Sequence, residues 1–454
     1  MNKWYESAVF YHIYPLGLCG APKENIGGEI VHRLQELESW IPHIEQIGCT
    51  AIYIGPLFES VGHGYETTDY KRVDRRLGSN EDFIHFVKLC HKKNIKVIVD
   101  GVFNHTGREF FAFQDLLINR EQSRYLDWYC HVDFHGNNEY NDGFSYEAWG
   151  GYNILAKLNQ KNVEVKQYLF EVIRFWADEF GIDGIRLDAA DVLDFDFMKE
   201  MRIVANSIRD DFWLMGEVIH GDYSRWANES TLHSVTNYEL HKGLYSGHND
   251  HNYFEIAHTV KRLFDPNGGI CKDSLLYTFV DNHDVERIRS KLLVKQHLVP
   301  VYLLLYTLPG IPSIYYGSEF ALEGKKERNS DDTLRPYLDL NDYFPIEGKE
   351  YETIYNLLSK LGEAKKKYSD LTYGRYQELL LTNRQYAYAR LLEKSAVITL
   401  LNNDDNDVTI TIHLPIQANR AVDGLTDREI IIKDQTISIN LQENSGTMIR
   451  INSI

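Results

Sequence analysis

Carboxylates recur where short apolar runs of this chain end. The run at 96–99 passes into Asp100 and on to Asn104 and His105. The run at 184–187 carries Arg186 and ends at Asp188, and that at 212–215 ends at Gly216 and Glu217. The run at 276–280 leads into Asp281, Asn282, His283 and Asp284, and the one at 51–54 leads toward His63, Gly64 and Tyr65. One Asp after a strand is ordinarily a helix cap. Several carboxylates delivered to one rim, with two histidines and an arginine, are another matter, because gathering like charges opposes folding. Two carboxyl groups placed across a glycosidic bond supply a nucleophile and a proton donor. Arg186 lies two residues before Asp188 and so on the same strand face, where its charge is expected to keep Asp188 ionised as a nucleophile needs. Glu217, sharing a site with Asp188 and Asp284, reads as the proton donor.

The elements that must hold these groups are visible as a pattern. Apolar, β-branched or aromatic runs stand at 8–13, 51–54, 96–99, 184–187, 212–215, 234–238, 276–280 and 311–316. Between them lie stretches of helical period, such as Leu34, Leu37, Ile41 and Ile44, or Phe83, Phe86, Val87 and Cys90. Strands alternating with helices imply parallel strands with right-handed crossovers. Eight such units predict an α/β fold, a (β/α)8 TIM barrel, with a doubly wound sheet as the alternative. A barrel's chemistry sits where its strands end. The third crossover is too long for one helix, and 106–158 is expected to be a small inserted domain without a long helical pattern. From 376 the texture turns to alternating runs separated by Asn, Asp and Gly, which predicts a C-terminal antiparallel β-sandwich at 376–454. The barrel then occupies 1–105 and 159–375.

Composition narrows the chemistry further. The 454 residues are 43% hydrophobic and 25% charged, which excludes a disordered chain. The net charge of −18, with no basic stripe, argues against nucleic acid as a partner. Five cysteines, an odd number without a C-x-x-C pair, indicate neither a disulfide framework nor a zinc site. Neither a signal peptide nor an apolar stretch of membrane length is visible, so a cytoplasmic location is expected. Nothing in the residues addresses oligomeric state.

The strand-end segments also carry a resemblance. DGVFNHTG from Asp100, GIDGIRLDAAD from Gly181, GEVIH from Gly216 and FVDNHD from Phe279 resemble four sequence regions of the α-amylase family of glycoside hydrolases, in the family's order. HGYETTDY from His63 resembles the second-strand segment, LAKLN from Leu155 the fifth region, YHIYPLG from Tyr11 the first strand, and GIPSIYYGSE from Gly310 the eighth. The resemblance implies a retaining hydrolase of α-1,4 bonds in maltodextrins. Asp188 would form a covalent glycosyl-enzyme intermediate, Glu217 would be general acid/base, and Asp284 would stabilise the transition state. Arg186, His105 and His283 would bracket the cleaved sugar, and Tyr65 would stack beneath it. Asp100 and Asn104 would be supports, and Arg335 in DDTLRP would reach more distant sugars.

Some positions depart from the family's pattern. Asp191 and Val192 stand where starch-degrading members carry a Lys-His pair that holds the leaving group, and Glu66 replaces an Asp after Tyr65. LAKLN is similar to the version in neopullulanase and cyclomaltodextrinase, yet the first strand begins near Ala8, without their extra N-terminal domain. Short maltodextrins are therefore the expected substrates. Rival readings are a glucanotransferase, isomerase or phosphorylase of the same superfamily, and a non-catalytic sugar-binding relative. The three carboxylates stand against the last. No cofactor or metal is expected, with calcium the open case. It would need Asn104 with Asp133 or Asp142, while the loop after the first strand offers only Glu24 and Glu29.

Overall fold

The computed structural model describes residues 3–328 and 330–453. Eight parallel strands form one sheet: β1 Phe10–Ile13, β2 Ala51–Ile54, β3 Lys96–Gly101, β4 Gly184–Leu187, β5 Trp213–Gly216, β6 Ser234–Val235, β7 Tyr277–Phe279 and β8 Ile311–Tyr315. Their order is β6-β5-β4-β3-β2-β1-β8-β7, and a parallel bridge between Thr236 and Tyr277 joins the two edges into a ring. The alternation of strand and helix thus closes as a barrel, not as a doubly wound sheet.

Each strand is buried on both faces, which is why the runs read as continuously apolar. The side-chain period of two then assigns the faces. Phe10, Tyr53, Ile98, Trp213, Met215, Tyr277 and Phe279 pack together inside the barrel. Val97, Val99, Ile185, Leu187 and Leu214 point outward to the helices. With Ile98 inward, Asp100 is inward too. β3 and β4 pair Asp100 with Arg186, and β4 and β5 pair Arg186 with Met215. Register alone therefore brings the strand-end charges to one rim.

The helices begin where polar caps predict. Ser79 and Asp82 form a capping box for Asn80–Lys92, Asn162 caps Val163–Phe175 and Asp194 caps Phe195–Ile208. The sixth run is shorter than its apolar pattern suggests. Asn237 accepts a hydrogen bond from the Leu240 amide and starts the helix Tyr238–Asn249, so β6 ends at Val235. The stripe from Leu34 to Ile44 is a 3-10 turn, Arg33–Ser39, followed by a short helix, Trp40–Gln46.

After β3 the chain makes its long excursion, anchored by the strand pair His105–Thr106 and Ala156–Lys157. It contains a helix, Phe111–Asn119, that the sequence pattern does not reveal. The segment FAFQDLLIN is apolar around most of its circumference, so no stripe of period 3.6 stands out. Phe113, Tyr129, Phe144 and Tyr146 meet as that region's own core.

The C-terminal part has two antiparallel sheets. One contains Arg375–Leu381, Gln385–Leu391, Ser395–Asn402, Ser445–Ser453, Ala418–Asp423 and Glu429–Ile430, and the other pairs Val408–His413 with Thr436–Leu441. Ala389, Ile398, Ile410, Ile437 and Ile449 fill the space between them. Among the described residues, no helix is long and apolar enough to cross a membrane.

Candidate active site

One guanidinium organises the rim. Arg186, buried among the strand ends, donates through Nη1 to Asp100 Oδ1 at 2.8 Å and to Asp188 Oδ1 at 2.9 Å. Its Nη2 pairs with Glu217 Oε2 at 2.7 Å. That oxygen of Glu217 also accepts the Ala189 amide at 3.2 Å, while Oε1 accepts from the Tyr238 hydroxyl at 3.4 Å. Asn282 Nδ2 donates in turn to Tyr238 at 3.3 Å. Ala189 adopts φ 47°, ψ 44°. A left-handed conformation at a non-glycine residue is strained by roughly 1–2 kcal/mol. Here it turns the amide after Asp188 back onto Glu217.

Asp284 faces this pair from the end of β7, its side chain 36% exposed. His283 Nε2 lies 3.0 Å from Asp284 Oδ2 and shares a hydrogen bond with the Tyr65 hydroxyl. The His283 ring lies near-parallel to those of Tyr65 (5.7 Å) and Tyr14 (5.9 Å). Tyr65 also donates to Asp100 Oδ2 at 3.2 Å, as Tyr53 does at 2.8 Å. His105 Nε2 donates to the Tyr65 carbonyl at 3.1 Å, and Asn104 sits against the other ring nitrogen at 3.2 Å. Asp100, Asn104, His105, Tyr65, Arg186, Asp188, Glu217, His283 and Asp284 thus form one connected cluster.

Arg335, expected to reach more distant sugars, belongs to that cluster as well. It donates through Nη2 to Asp284 Oδ1 at 2.9 Å and to Asp331 Oδ2 at 3.1 Å, and through Nε to the His283 carbonyl. Its guanidinium lies over the Tyr14 ring. The loop after β8 folds back over the barrel mouth, and that return cannot be read from residue spacing. Sequence reasoning also missed Tyr14, Tyr53, Tyr238 and Asn282 as members of the site. Tyr53 carried a signal: its inward position in β2 is register-matched to Ile98, two residues before Asp100. Tyr238 carried none, being the first residue of a helix.

The charges resolve differently from the simplest expectation. Burial pushes the Asp188 carboxyl well above the ordinary carboxylate range; Glu217 and Asp100 add to the rise and Arg186 opposes it. The single charge of Arg186, which opposes this rise, is divided among three carboxylates. At Asp284 the pocket also disfavours the charge, but His283, Arg335 and Arg186 outweigh it and hold that carboxyl well below the ordinary range. Burial lowers His105 to about 3, so its ring is neutral. The site therefore sets a carboxyl held toward ionisation, Asp284, against one held toward protonation, Asp188.

The residues that would hold calcium are otherwise engaged. Arg108 donates to both oxygens of Asp142, at 2.7 and 2.8 Å, and so supplies the positive charge there. Asp133 caps its own turn, accepting the His135 amide. Asn104 Oδ1 is buried without a hydrogen-bond partner among the described residues, yet no carboxylate joins it. This set does not fit a calcium ion. Glu66, the replacement beside Tyr65, accepts the Gly64 amide at 3.2 Å and pairs with His63 at 3.1 Å, so it shapes the loop carrying Tyr65.

Comparison with known proteins agrees with this geometry. The chain is 29% identical to neopullulanase 2 of Thermoactinomyces vulgaris over 98% of its own length and 78% of that enzyme. Its fold superposes on a cyclomaltodextrinase with a TM-score of 0.87 at 24% identity, covering 99% of this chain and 78% of the other. It superposes on the native debranching enzyme of Nostoc punctiforme with a TM-score of 0.83 at 26% identity, covering the whole of both chains. Residues 26–338 match the family model described as the α-amylase catalytic domain. Strand-end carboxylates on a closed barrel and this match lead to one conclusion: the chain belongs to the α-amylase family of glycoside hydrolases.

Proposed function

We propose that the protein is a retaining hydrolase of α-1,4-glucosidic bonds in short maltodextrins. The observation that carries this reading is Arg186 joined at once to Asp100, Asp188 and Glu217, with Asp284 facing them. One planar guanidinium holding Asp188 and Glu217 on its two terminal nitrogens keeps them close neighbours. That suits a retaining pair, in which the carboxyls stand about 5–5.5 Å apart, more than an inverting pair, which leaves room for a water. Asp188 attacks the anomeric carbon and Glu217 protonates the departing oxygen. A water deprotonated by Glu217 then releases the sugar with its configuration kept. Asp188 must be ionised when it attacks, and Glu217 must carry the proton that it delivers. Asp284, ionised throughout, accepts hydrogen bonds from sugar hydroxyls as positive charge develops at the ring. His105, His283 and Tyr65 form the walls around that sugar.

The relatives' names, neopullulanase 2 and cyclomaltodextrinase, support small or cyclic α-glucans as substrates. Asp191 and Val192 support the same reading, since neither offers the cation that a long leaving group would meet. We place the activity in the cytoplasm, independent of metal, with 106–158 as an inserted domain walling the cleft. Proton NMR of the first product tests the chemistry: the α-anomer is expected, and a β-anomer at early times overturns Asp188 as nucleophile. Comparing kcat/KM on maltotriose through maltohexaose with soluble starch tests the size preference, and a clear preference for starch overturns it.

A further inference from the structure

We infer that a cavity at the base of the barrel, on the far side from the carboxylate rim, binds a small oxyanion, a carboxylate or a phosphate, on Arg202. The cavity, of about 480 Å³, is lined by Trp213 and Ile311, the first residues of β5 and β8, and by His233 and Leu275, which precede β6 and β7. Asp188 and Glu217 follow the opposite ends of β4 and β5. The base site is therefore separate from the rim, and it does not depend on the α-glucan reading.

Arg202 reaches the cavity from the helix Phe195–Ile208. Its Nη1 donates to the Thr231 carbonyl at 2.9 Å, its Nε is buried without a hydrogen-bond partner, and no carboxylate pairs with it among the described residues. Burial holds it below the ordinary arginine range, against the opposing pull of Tyr5 and Glu229. It still carries its charge at neutral pH. The chain has 66 acidic residues against 48 basic ones, and Arg209, at the end of the same helix, pairs with both Asp183 and Asp211. A guanidinium placed for stability alone would take such a partner, because a cation drawn out of water without one costs free energy.

The groups around Arg202 donate as well. His233 Nδ1 accepts the Leu214 amide at 3.0 Å, and burial, with Arg202 and Lys3 adding to it, lowers the ring to about 3. The imidazole is thus neutral, with its proton on Nε2. Trp213 is fully buried, and its indole Nε1, a donor only, has no partner among the described residues. Burial pushes the Tyr5 hydroxyl up to about 12, so it keeps its proton, and it makes no hydrogen bond among the described residues. The Tyr5 ring stacks on Trp213 at 5.9 Å and leans on His233 at 5.2 Å, and with Leu275 and Ile311 it offers an apolar wall to the body that carries the oxyanion. The acidic lining residues do not fill this set. Glu229 and Asp273 are exposed at the mouth, and Glu6 Oε2 already accepts the Lys3 amide and the Tyr373 hydroxyl, each at 3.1 Å. A cation amid unfilled donors is the complement of an oxyanion, and a planar guanidinium can take two of its oxygens at once.

The test uses the full chain in a zwitterionic buffer at neutral pH and constant ionic strength, with inorganic phosphate and citrate as separate probes. At least one should raise the melting temperature saturably: phosphate alone identifies a phosphate ligand, citrate alone a carboxylate, and both the shared chemistry. Arg202→Gln, which keeps an amide to meet the Thr231 carbonyl but no charge, should weaken the dissociation constant of that probe by about tenfold or more, as loss of a charge-assisted hydrogen bond predicts. Arg202→Lys should recover part of it. On the wild type, modification by phenylglyoxal, mapped by mass spectrometry, should be slowed at Arg202 by the same probe, which decides the matter even if the Arg202 variants fail to fold. No saturable response to either probe, an affinity unchanged in Arg202→Gln, or protection of Arg335 at the rim in place of Arg202 overturns the inference.

Discussion

Replacing Arg186 by methionine removes the one charge that three carboxylates at the rim share, and its effect has a size that depends on pH. Arg186 is 3% exposed and contacts Asp100, Asp188 and Glu217 within 3.0 Å. Methionine keeps much of the apolar stem, so the change is chiefly electrostatic. Removing one partner of a buried ion pair destabilises by roughly 3–5 kcal/mol because it leaves the other charge uncompensated. The carboxylates have a way to relieve this: they take up protons, each unit of rise in pKa corresponding to about 1.4 kcal/mol. A carboxyl whose folded pKa is raised above its unfolded value binds a proton in the folded state that the unfolded chain has released. Its penalty is absent below the unfolded value, near 4, and grows as pH rises to the folded value. Asp188 is already raised in the native cluster, so the wild type shows the same direction more weakly. The stability difference between wild type and Arg186→Met should therefore be small at pH 5 and reach about 3–5 kcal/mol at pH 7.5. Urea unfolding of both proteins across that range measures it. A difference that stays constant, or grows as pH falls, would refute the reasoning and make Arg186 a packing residue.

Three further outcomes are expected. Glu217→Gln should lose most activity on oligosaccharides but retain more on aryl glycosides with good leaving groups, while Asp188→Asn loses both; equal losses on every substrate would contradict the assigned roles. EDTA should leave the melting temperature and activity unchanged, whereas Arg108→Gln, which frees Asp142 and Tyr146, should destabilise by about 1–3 kcal/mol; melting lowered by EDTA and restored by calcium would show a metal where Arg108 now stands. Lys365 is 2% exposed, donates among the described residues to the carbonyls of Gly310 and Leu371, and is held by burial well below its ordinary range, with Arg390 adding to the effect. The unfolded chain gains a proton there that the folded chain lacks, so Lys365→Met should raise stability at pH 7 by about 1 kcal/mol or more, a gain that shrinks toward pH 10.5 in urea titrations and would be disproved by one that grows with pH.

What could be read from the residues follows a physical division. β2 and β4 stand where their apolar runs do, because a strand buried on both faces writes its whole length into the sequence. The rim was legible for a related reason: strand period and parallel register carry Asp100, Arg186 and Asp188 to one face without any loop taking part. Legibility ends where position depends on a returning loop or on the sum of many environments. Arg335 is tens of residues beyond β7, and only the folding of the loop after β8 sets it on Asp284. Val235 ends its strand because Asn237 accepts a hydrogen bond from Leu240, a local competition that an apolar run does not record. The proton balance of the site is the furthest from the sequence. Arg186 next to Asp188 on one strand face implies a simple ion pair, but the fold gives the same guanidinium two more carboxylates and buries them all. An interaction that lowers a carboxyl's pKa in isolation is then outweighed, and the direction at Asp188 reverses. A motif identifies the groups that meet; the charge state in which they meet belongs to the assembled rim.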